Sequence, residues 1–318
     1  MRLRLVPQTP SIDFIGRRKY AFAFSILLVL GSFGMFFTQG LNLGIDFLGG
    51  ILIEAKTTEA ADIGAVRAEL GDLGLGEVSI QEFGAPDILL IRIQRQEGGD
   101  EAQARAVEAV KADLGDKVEE YRRTEFVGPT VGEELQEAAL YAVLAAIGAI
   151  LVYIWFRFEW QYGVSAVIAL THDVITTIGL FALLQLEFNL ATVAALLTIA
   201  GYSINDTVVV FDRVREKLRK YKKMDLPDLF NLAVNKTLSR TVMTSLTTLL
   251  ALIALFVFGG EVIHDFITAM IWGVIIGTYS SIALAVTLLL YMRPERGTGE
   301  ADASGFQPQL EQEAAKDT

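Results

Sequence analysis

The stretch AALYAVLAAIGAILVYIWF at residues 138–156 contains no Asp, Glu, Lys or Arg. A helix needs about 20 predominantly apolar residues to cross the hydrocarbon core of a bilayer, which is about 30 Å thick. The junction RFEWQ at 157–161 then leads into a second apolar stretch at 162–185. Because a junction this short joins only antiparallel neighbours, the sequence predicts a helical hairpin embedded in a membrane.

Four further stretches have the same character, so we expect a polytopic membrane protein with six transmembrane helices. They cover residues 20–39, 189–211, 241–259 and 266–291. The first follows a basic segment, as a signal peptide would, but its apolar run exceeds the roughly 7–15 residues of a signal peptide. The sequence Thr38-Gln39-Gly40 is also a poor cleavage site, so this helix is predicted to be an uncleaved anchor.

The composition argues against several classes of protein. The net charge of −11 over 318 residues is unlike that of a nucleic-acid-binding protein, which needs clustered cations to neutralise phosphates. The chain has no cysteine, which excludes disulfides, thiolate catalysis and cysteine zinc sites.

The cations predict the orientation, because cytoplasmic loops carry an excess of Lys and Arg. A dense basic block begins at Arg213, and further cations occur in the N-terminal segment, at Arg157 and after the sixth helix. We therefore expect three regions to be cytoplasmic, namely residues 1–19, the basic loop 213–239 and the tail 293–318. The tail is rich in Gly, Glu, Ala and Gln, a composition typical of disorder.

Residues 40–137 then form one aqueous domain outside the cytoplasm. The apolar patterns predict the order β-α-β-β-α-β, which is the ferredoxin-like arrangement. The predicted elements are a strand at 51–56, a helix at 60–70, strands at 77–83 and 87–94, a helix at 101–114 and a strand at 118–127. The domain contains no His or Cys and no convincing nucleophile–base pair, so no catalytic site is predicted. Contact with a partner, movement or structural support are its candidate roles.

Ionisable residues inside transmembrane segments are costly and usually mark ion or substrate pathways. Asp206 lies well inside the fourth span, four residues after Tyr202 and next to Asn205, in a polar group whose members are spaced three and four residues apart along one helix face. Arg240 begins the antiparallel fifth span at a similar depth. The two charges are predicted to face each other, so that protonation of the carboxylate would release the contact. A structural or snorkelling arginine is the alternative.

The pair His172-Asp173 lies near the middle of the third span. No HExxH spacing or second histidine cluster accompanies it, so a metal site is not predicted. Adjacent helical residues also point about 100° apart, which argues against one small shared site. A hydrogen-bonded interior role and a part in a proton relay both remain open.

Several motifs resemble, in the same order, those of the SecF family of protein-export membrane proteins, within the resistance–nodulation–division superfamily. The resemblance covers almost the whole chain, with Leu48 in place of the usual threonine as the small departure. The matching segments are GLNLGIDFLGG at 40–50, FVGPTVGEEL at 126–135, THD at 171–173, residues 201–216 and SRTVMTS at 239–245.

The resemblance implies a subunit of the SecDF complex in the bacterial inner membrane. Such a subunit pairs pseudo-symmetrically with SecD, associates with the SecYEG channel, with YajC and YidC as further candidate partners, and acts on unfolded polypeptides. It is thought to use proton flow to promote their translocation. Protons are then the coupling ion, and neither a cofactor nor enzymatic activity is expected. The alternatives are a small-molecule or lipid exporter of the same superfamily and a passive assembly scaffold.

The resemblance also assigns candidate residues. Asp206 and Arg240 match positions implicated in proton coupling, and His172, Asp173, Asn205 and Tyr202 are added from their place in the spans. The joints between membrane and external domain match two segments, where glycine would allow hinge motion. The candidate hinge and interface residues are Asp46, Gly49, Gly50, Gly128, Pro129 and Gly132. Ordinary turn chemistry is the alternative for these glycines.

Overall fold

The structure is a computed structural model that describes residues 10–76, 78–260 and 263–296. Three parts of the predictions above therefore lie outside the described residues. They are the start of the N-terminal segment, Glu77 at the start of a predicted strand, and the tail from residue 297 onward.

Six helices are long and apolar enough to cross a membrane, which confirms the prediction of a six-span protein. The last of them is interrupted by a π-helical turn at Ser280–Ala285. The helices are α1 (Arg18–Gln39), α5 (Pro129–Arg157), α6 (Trp160–Leu184), α7 (Leu190–Lys220), α8 (Leu226–Phe258) and α9 with α10 (His264–Tyr279 and Val286–Met292).

The basic region 213–239, which we expected to be a loop, is helical except at residues 221–225. The cationic and acidic residues of this region are good helix formers, so α7 and α8 continue past the apolar part of each span. The cations therefore occupy defined positions on helix surfaces.

The middle of the bundle is formed by α6, α7 and the last helix, whose apolar windows are half or more buried. Glycines allow the closest contacts. A Cβ atom on Gly273 would lie 2.3 Å from the Ile199 side chain of α7, and one on Gly277 would lie 3.2 Å from Ser203. The GxxxG spacing on the last span is thus a packing face, as this motif is in other membrane helices.

The domain between α1 and α5 has the predicted order β-α-β-β-α-β. It consists of β2 (Gly50–Thr57), α3 (Ile63–Asp72), β3 (Val78–Phe83), β4 (Ala85–Ile93), α4 (Gly99–Leu114) and β5 (Val118–Val127). Its antiparallel sheet has the order β3-β4-β2-β5, so the ferredoxin-like prediction is confirmed. Both helices contribute to one core with the inner face of the sheet, including Ile53, Ile91 and Val110.

Three short elements that were not predicted lie where this domain meets the bundle. They are β1 (Asn42–Leu43), the single-turn helix α2 (Ile45–Leu48) and β6 (Glu187–Phe188). β1 pairs in parallel with β6, which joins α6 to α7. The domain is therefore attached to the bundle by backbone pairing as well as by its two chain connections.

Candidate functional site

Asp206 lies on the buried side of α7, where it is 3% exposed. Its Oδ2 atom is buried and has no hydrogen-bond partner among the described residues. Buried carboxylates are normally paired or hydrogen-bonded, because transfer of an unpaired charge from water is expensive. An unpartnered carboxylate within a transmembrane helix is therefore a strong candidate for a functional group.

Arg240 lies on the neighbouring helix α8, close enough for its charge to act on Asp206. The two side chains nevertheless form none of the ion pairs within 4.0 Å that occur in the described part of the chain. Arg240 is exposed, and so is Asn205 next to Asp206. The predicted pair is thus not a closed ion pair. The charge of Arg240 acts electrostatically on the carboxylate of Asp206, but no contact within 4.0 Å holds the two side chains together.

Asp173 is surrounded quite differently, because donors from three helices hold its fully buried carboxylate. Oδ2 accepts hydrogen bonds from Ser203 Oγ of α7 and Ser280 Oγ of the π-helical turn, each at 2.7 Å. Oδ1 lies 3.0 Å from Nδ1 of His172. Both oxygens of this carboxylate have hydrogen-bond partners, and these contacts join α6 to α7 and to the last helix.

His172 and Asp173 therefore touch each other, although they are adjacent on the helix. The remaining ring nitrogen of His172, Nε2, is buried without a hydrogen-bond partner in the described structure. The imidazole borders an apolar cavity of about 460 Å³ between α1, α6 and the last helix. The geometry shows the hydrogen-bonded interior role that the sequence left open, while a part in a relay stays a prediction.

A chain of hydroxyl groups begins at Tyr202, about one helical turn before Asp206. Tyr202 Oη donates to Ser245 Oγ of α8 at 3.3 Å, and Ser245 Oγ lies 2.6 Å from Thr278 Oγ1 of α9. Thr241 Oγ1, one helical turn from Ser245, is buried and has no partner among the described residues. The chain connects α7, α8 and α9 with groups that can both donate and accept a proton.

The two carboxylates are linked through α7 itself. Ser203, which donates to Asp173, precedes Asp206 by three residues, a rise of about 4.5 Å along a helix. Ser203 and Ser280 were not selected as candidate residues from the sequence. A buried serine in an apolar helix is an ambiguous signal, because its hydroxyl can bond to its own helix.

Asp46 contacts the helix that carries Asp206. Its Oδ2 accepts the backbone N–H of Leu190, the first residue of α7, at 3.0 Å. Carboxylates are favourable at this position, because the N-terminal N–H groups of a helix have no partner within the helix. The segment between α1 and the domain is thereby fixed to the start of α7.

A largely buried ion pair strengthens the same junction. Arg92 on β4 contacts the Glu187 carboxylate, and Arg92 Nη1 also donates to Asn42 Oδ1 at 3.3 Å. The two charged side chains are 13% and 16% exposed. One arginine of the domain therefore bridges both strands of the β1–β6 pair.

The candidate hinge residues fall into two groups. Gly49 and Gly50 have φ of +71° and +121°, and a Cβ on Gly50 would lie 2.6 Å from the carbonyl oxygen of Ile93. A Cβ on Gly132, in the first turn of α5, would lie 3.0 Å from the carbonyl oxygen of Phe47. Gly128 has φ of −69° and open space around it, and Pro129 is the first residue of α5. Positive φ favours glycine at Gly49 and Gly50, and close backbone contacts disfavour a Cβ at Gly50 and Gly132, whereas neither constraint applies at Gly128.

Comparison with protein families gives two matches. The model described as "Protein export membrane protein SecD/SecF, C-terminal" matches residues 106–295, and the SecD/SecF GG motif matches residues 34–61. The second match contains the Asp46–Gly50 segment, and the first contains α6 to α10.

Similar proteins carry the same family name. A protein translocase subunit SecF from Cereibacter sphaeroides is 47% identical over 95% of this chain and 96% of its own length. One from Rickettsia felis is 47% identical over 90% of this chain and 94% of its own length.

Two solved structures share the fold. The crystal structure of SecDF, a translocon-associated membrane protein from Thermus thermophilus, matches with a TM-score of 0.83 and 38% identity over 92% of this chain. SecDF in a super-membrane-facing form matches with a TM-score of 0.67 and 36% identity over 99% of this chain. The chain spans about 40% of the length of these SecDF chains.

Proposed function

This chain belongs to the SecF family of protein translocase subunits, and we propose that it uses the proton-motive force to promote the passage of secreted polypeptides through the Sec channel. It is a protein of the inner membrane. The observation that carries the proposal is the buried carboxylate of Asp206, which has an unpartnered Oδ2 and is influenced by Arg240 without a closed ion pair. A proton-driven device needs such a group, because its two protonation states must favour two different packings.

The surrounding contacts suggest how protonation acts on the fold. Ionised Asp206 attracts Arg240 across the α7–α8 contact, and protonation removes that attraction. The neighbouring residue Ser203 is tied to Asp173, so a shift of α7 changes the contacts of a carboxylate that holds three helices. Tyr202, Asn205 and the His172–Asp173 pair are the further groups that we assign to the proton path.

The junction with the aqueous domain transmits the change. Asp46 binds the first N–H of α7, and β6 immediately before α7 pairs with β1. A displacement of α7 along its axis therefore has to shift β6 against β1, and this shift moves the segment that leads into β2. Gly49, Gly50 and Gly132 form the close contacts there, while Gly128 and Pro129 form the start of α5.

The assembly and its orientation are part of the proposal. We place SecD against the exposed face of α7 and α8 that carries Asn205 and Arg240, and we expect association with SecYEG, with YajC and YidC as further partners. Both termini are cytoplasmic and residues 40–137 are extracytoplasmic, since the cations at the opposite end of the bundle favour the cytoplasmic side.

Asp206→Asn tests the proposal, because asparagine keeps the size of the side chain and cannot ionise. We expect the variant to assemble normally and to lose the part of preprotein translocation that depends on a proton gradient, measured in membrane vesicles with and without an uncoupler. Asp212→Asn is the matched control, because Asp212 lies on the same helix and forms an ion pair with Arg157 that is 42–44% exposed. Full gradient-dependent translocation by Asp206→Asn would refute the proposed coupling.

Two alternatives give different results in the same system. A passive scaffold would support translocation equally in wild type and in Asp206→Asn, with no response to the uncoupler. A small-molecule or lipid exporter would purify as a homo-oligomer, whereas a translocase subunit would bring a larger partner with six spans of its own.

A further inference from the structure

A basic cavity that the proposed function does not use lies where the junction between α5 and α6 meets the C-terminal part of α7. Its volume is about 400 Å³. It is lined by Arg157, Asp212, Arg215, Glu216, Arg219 and Lys220. Four cations and two acids give these side chains a formal charge of +2.

Both acids of this cavity already have cationic partners. Asp212 Oδ1 lies 2.6 Å from Arg157 Nη2. Glu216 pairs with Arg213 on the same helix and with Lys217. Among the described residues, no carboxylate lies within 4.0 Å of Arg215 or Arg219. The charges of Arg215 and Arg219 are therefore not balanced by any carboxylate of the described residues.

Two of the guanidinium groups lie over the same aromatic ring. The Cζ atoms of Arg157 and Arg215 lie 4.8 and 5.9 Å from the ring centre of Phe158. Phe158 is buried and packs on Tyr162 and Phe211 at 5.2 and 6.1 Å, so the ring is a rigid support. Two like charges held at one ring, in a cavity that both line, favour binding of an anion that contacts both.

Hydrogen-bond donors of Arg215 are also unused. Nη1 donates to the carbonyl oxygen of Arg157 at 3.3 Å, whereas Nε is buried and has no acceptor in the described structure. A guanidinium presents its N–H groups as a planar fork that matches the oxygens of a phosphate. The cavity thus offers both charge and oriented donors.

The surroundings place the cavity at the level of lipid headgroups. Trp155 and Trp160 flank Arg157 in the sequence and are 68% and 60% exposed. Exposed tryptophans are enriched at the membrane–water interface. Phe156, between them, is 89% exposed, which provides an apolar surface beside the cations for an acyl chain.

We propose that this cavity binds the phosphate of an anionic phospholipid. Basic pockets between transmembrane helices bind anionic headgroups in other membrane proteins. The neighbouring aromatic surface favours a lipid over a soluble phosphate, because only a lipid covers both surfaces at once.

Quenching of tryptophan fluorescence by lipids with brominated acyl chains tests the proposal. The protein carries the substitution Trp272→Phe, so that all of the tryptophan fluorescence comes from Trp155 and Trp160. Brominated phosphatidylglycerol and brominated phosphatidylcholine are titrated separately into the full chain in detergent micelles. We expect stronger quenching by phosphatidylglycerol, which inorganic phosphate at millimolar concentration does not reverse.

The double variant Arg215→Gln/Arg219→Gln should weaken phosphatidylglycerol binding roughly 30-fold, or about 2 kcal/mol, from about 1 kcal/mol for each basic residue. The matched control Arg17→Gln/Lys19→Gln removes the same charge from exposed residues at the same end of the bundle, and it should retain the binding. Equal quenching by both lipids or an equal loss in the control would overturn the proposal. Competition by inorganic phosphate would instead identify a site for soluble phosphate and would overturn the lipid assignment.

Discussion

Two buried carboxylates, Asp173 and Asp206, lie in the same bundle and have opposite surroundings. Asp173 accepts hydrogen bonds from two serines and contacts His172, whereas Asp206 Oδ2 accepts none in the described structure. A satisfied carboxylate stabilises one packing, because every change of position breaks a bond to a charged group. An unsatisfied carboxylate leaves the helix able to respond when its charge changes. We therefore assign anchoring to Asp173 and switching to Asp206.

The anchoring role predicts a stability effect at Ser203. Ser203→Ala removes one donor to Asp173 while keeping the Cβ atom that packs against Gly277. We expect a loss of about 1–2 kcal/mol, because hydrogen bonds to charged groups contribute about 1.5–3 kcal/mol in soluble proteins and hydrogen bonds between membrane helices contribute less. Thermal unfolding of the detergent-purified chain measures it.

Thr198→Val is the control for this prediction. Thr198 lies on the same helix, is exposed, and bonds only to the carbonyl oxygen of Ala194 in its own helix. If both substitutions lower the unfolding temperature equally, Ser203 contributes nothing specific to the anchor.

The candidate hinge glycines also differ residue by residue. Gly50→Ala places a Cβ 2.6 Å from the carbonyl oxygen of Ile93 at φ of +121°. The backbone strain alone costs of order 1–3 kcal/mol, and the collision adds to it. Gly128→Ala meets no atom within 4 Å at φ of −69°, so it should cost less than about 1 kcal/mol, the preference of an N-cap for glycine over alanine. Thermal unfolding of the two variants separates these values, and similar losses would contradict the steric assignment.

At the scale of elements, the contact between the domain and the bundle depends on pieces only two residues long. Asn42–Leu43 and Glu187–Phe188 form a two-stranded parallel pair, which would not be stable alone. The contacts that support it include the Asp46 bond to Leu190, the Arg92–Glu187 ion pair, and packing of the Phe47 and Phe188 rings at 6.0 Å. The junction is therefore small but held by directional contacts.

The ion pair in this junction should contribute measurable coupling. We expect a double-mutant cycle of Arg92→Gln and Glu187→Gln to give between about 0.5 and 3 kcal/mol, as for partly buried neighbours in contact. Hydrogen exchange of the amides in 185–190 measures the free energy of local opening.

A pair inside the aqueous domain provides the comparison. Lys117 and Glu69 lie 2.6 Å apart but are 55% and 40% exposed, so their cycle should give at most about 1 kcal/mol. A coupling for Arg92–Glu187 no larger than this would show that the pair does not hold the junction.

At the scale of the molecule, the predictable features were those that repeat along the chain. The six spans follow from charge-free runs such as 138–156, and the ferredoxin-like order follows from alternating strands around residues 84–86. Each of these patterns extends over many residues, so local chemistry determines it.

The unpredicted features depend on few residues that lie far apart in the sequence. β1 and β6 contain two residues each and have no periodicity to detect. Asp173 obtains its donors from residues 203 and 280, which a single sequence does not associate with it. The pairing of Asp206 with Arg240 was inferred from antiparallel depth, but depth alone does not determine whether an ion pair closes.

The proposed mechanism requires the domain to move relative to the bundle, and a reversible cross-link can test this. Asn42 and Glu187 are register partners in the β1–β6 pair. Neighbouring strands lie about 4.8 Å apart, within the Cα separation that a disulfide spans. The chain has no native cysteine, so the substitutions Asn42→Cys and Glu187→Cys introduce the only thiols. The oxidised variant should lose gradient-dependent translocation and regain it on reduction.

The reduced form of the same variant is the control, because it already lacks the Arg92–Glu187 ion pair and differs from the oxidised form only by the bond. Translocation is measured in vesicles before and after addition of a reductant, and gel mobility gives the extent of cross-linking. Because Asp46 and β6 both adjoin the start of α7, a bond at this position prevents α7 from moving independently of the domain. If the cross-linked protein retained full gradient-dependent activity, the junction would be a static support, and the signal from Asp206 would have to leave the bundle by another route.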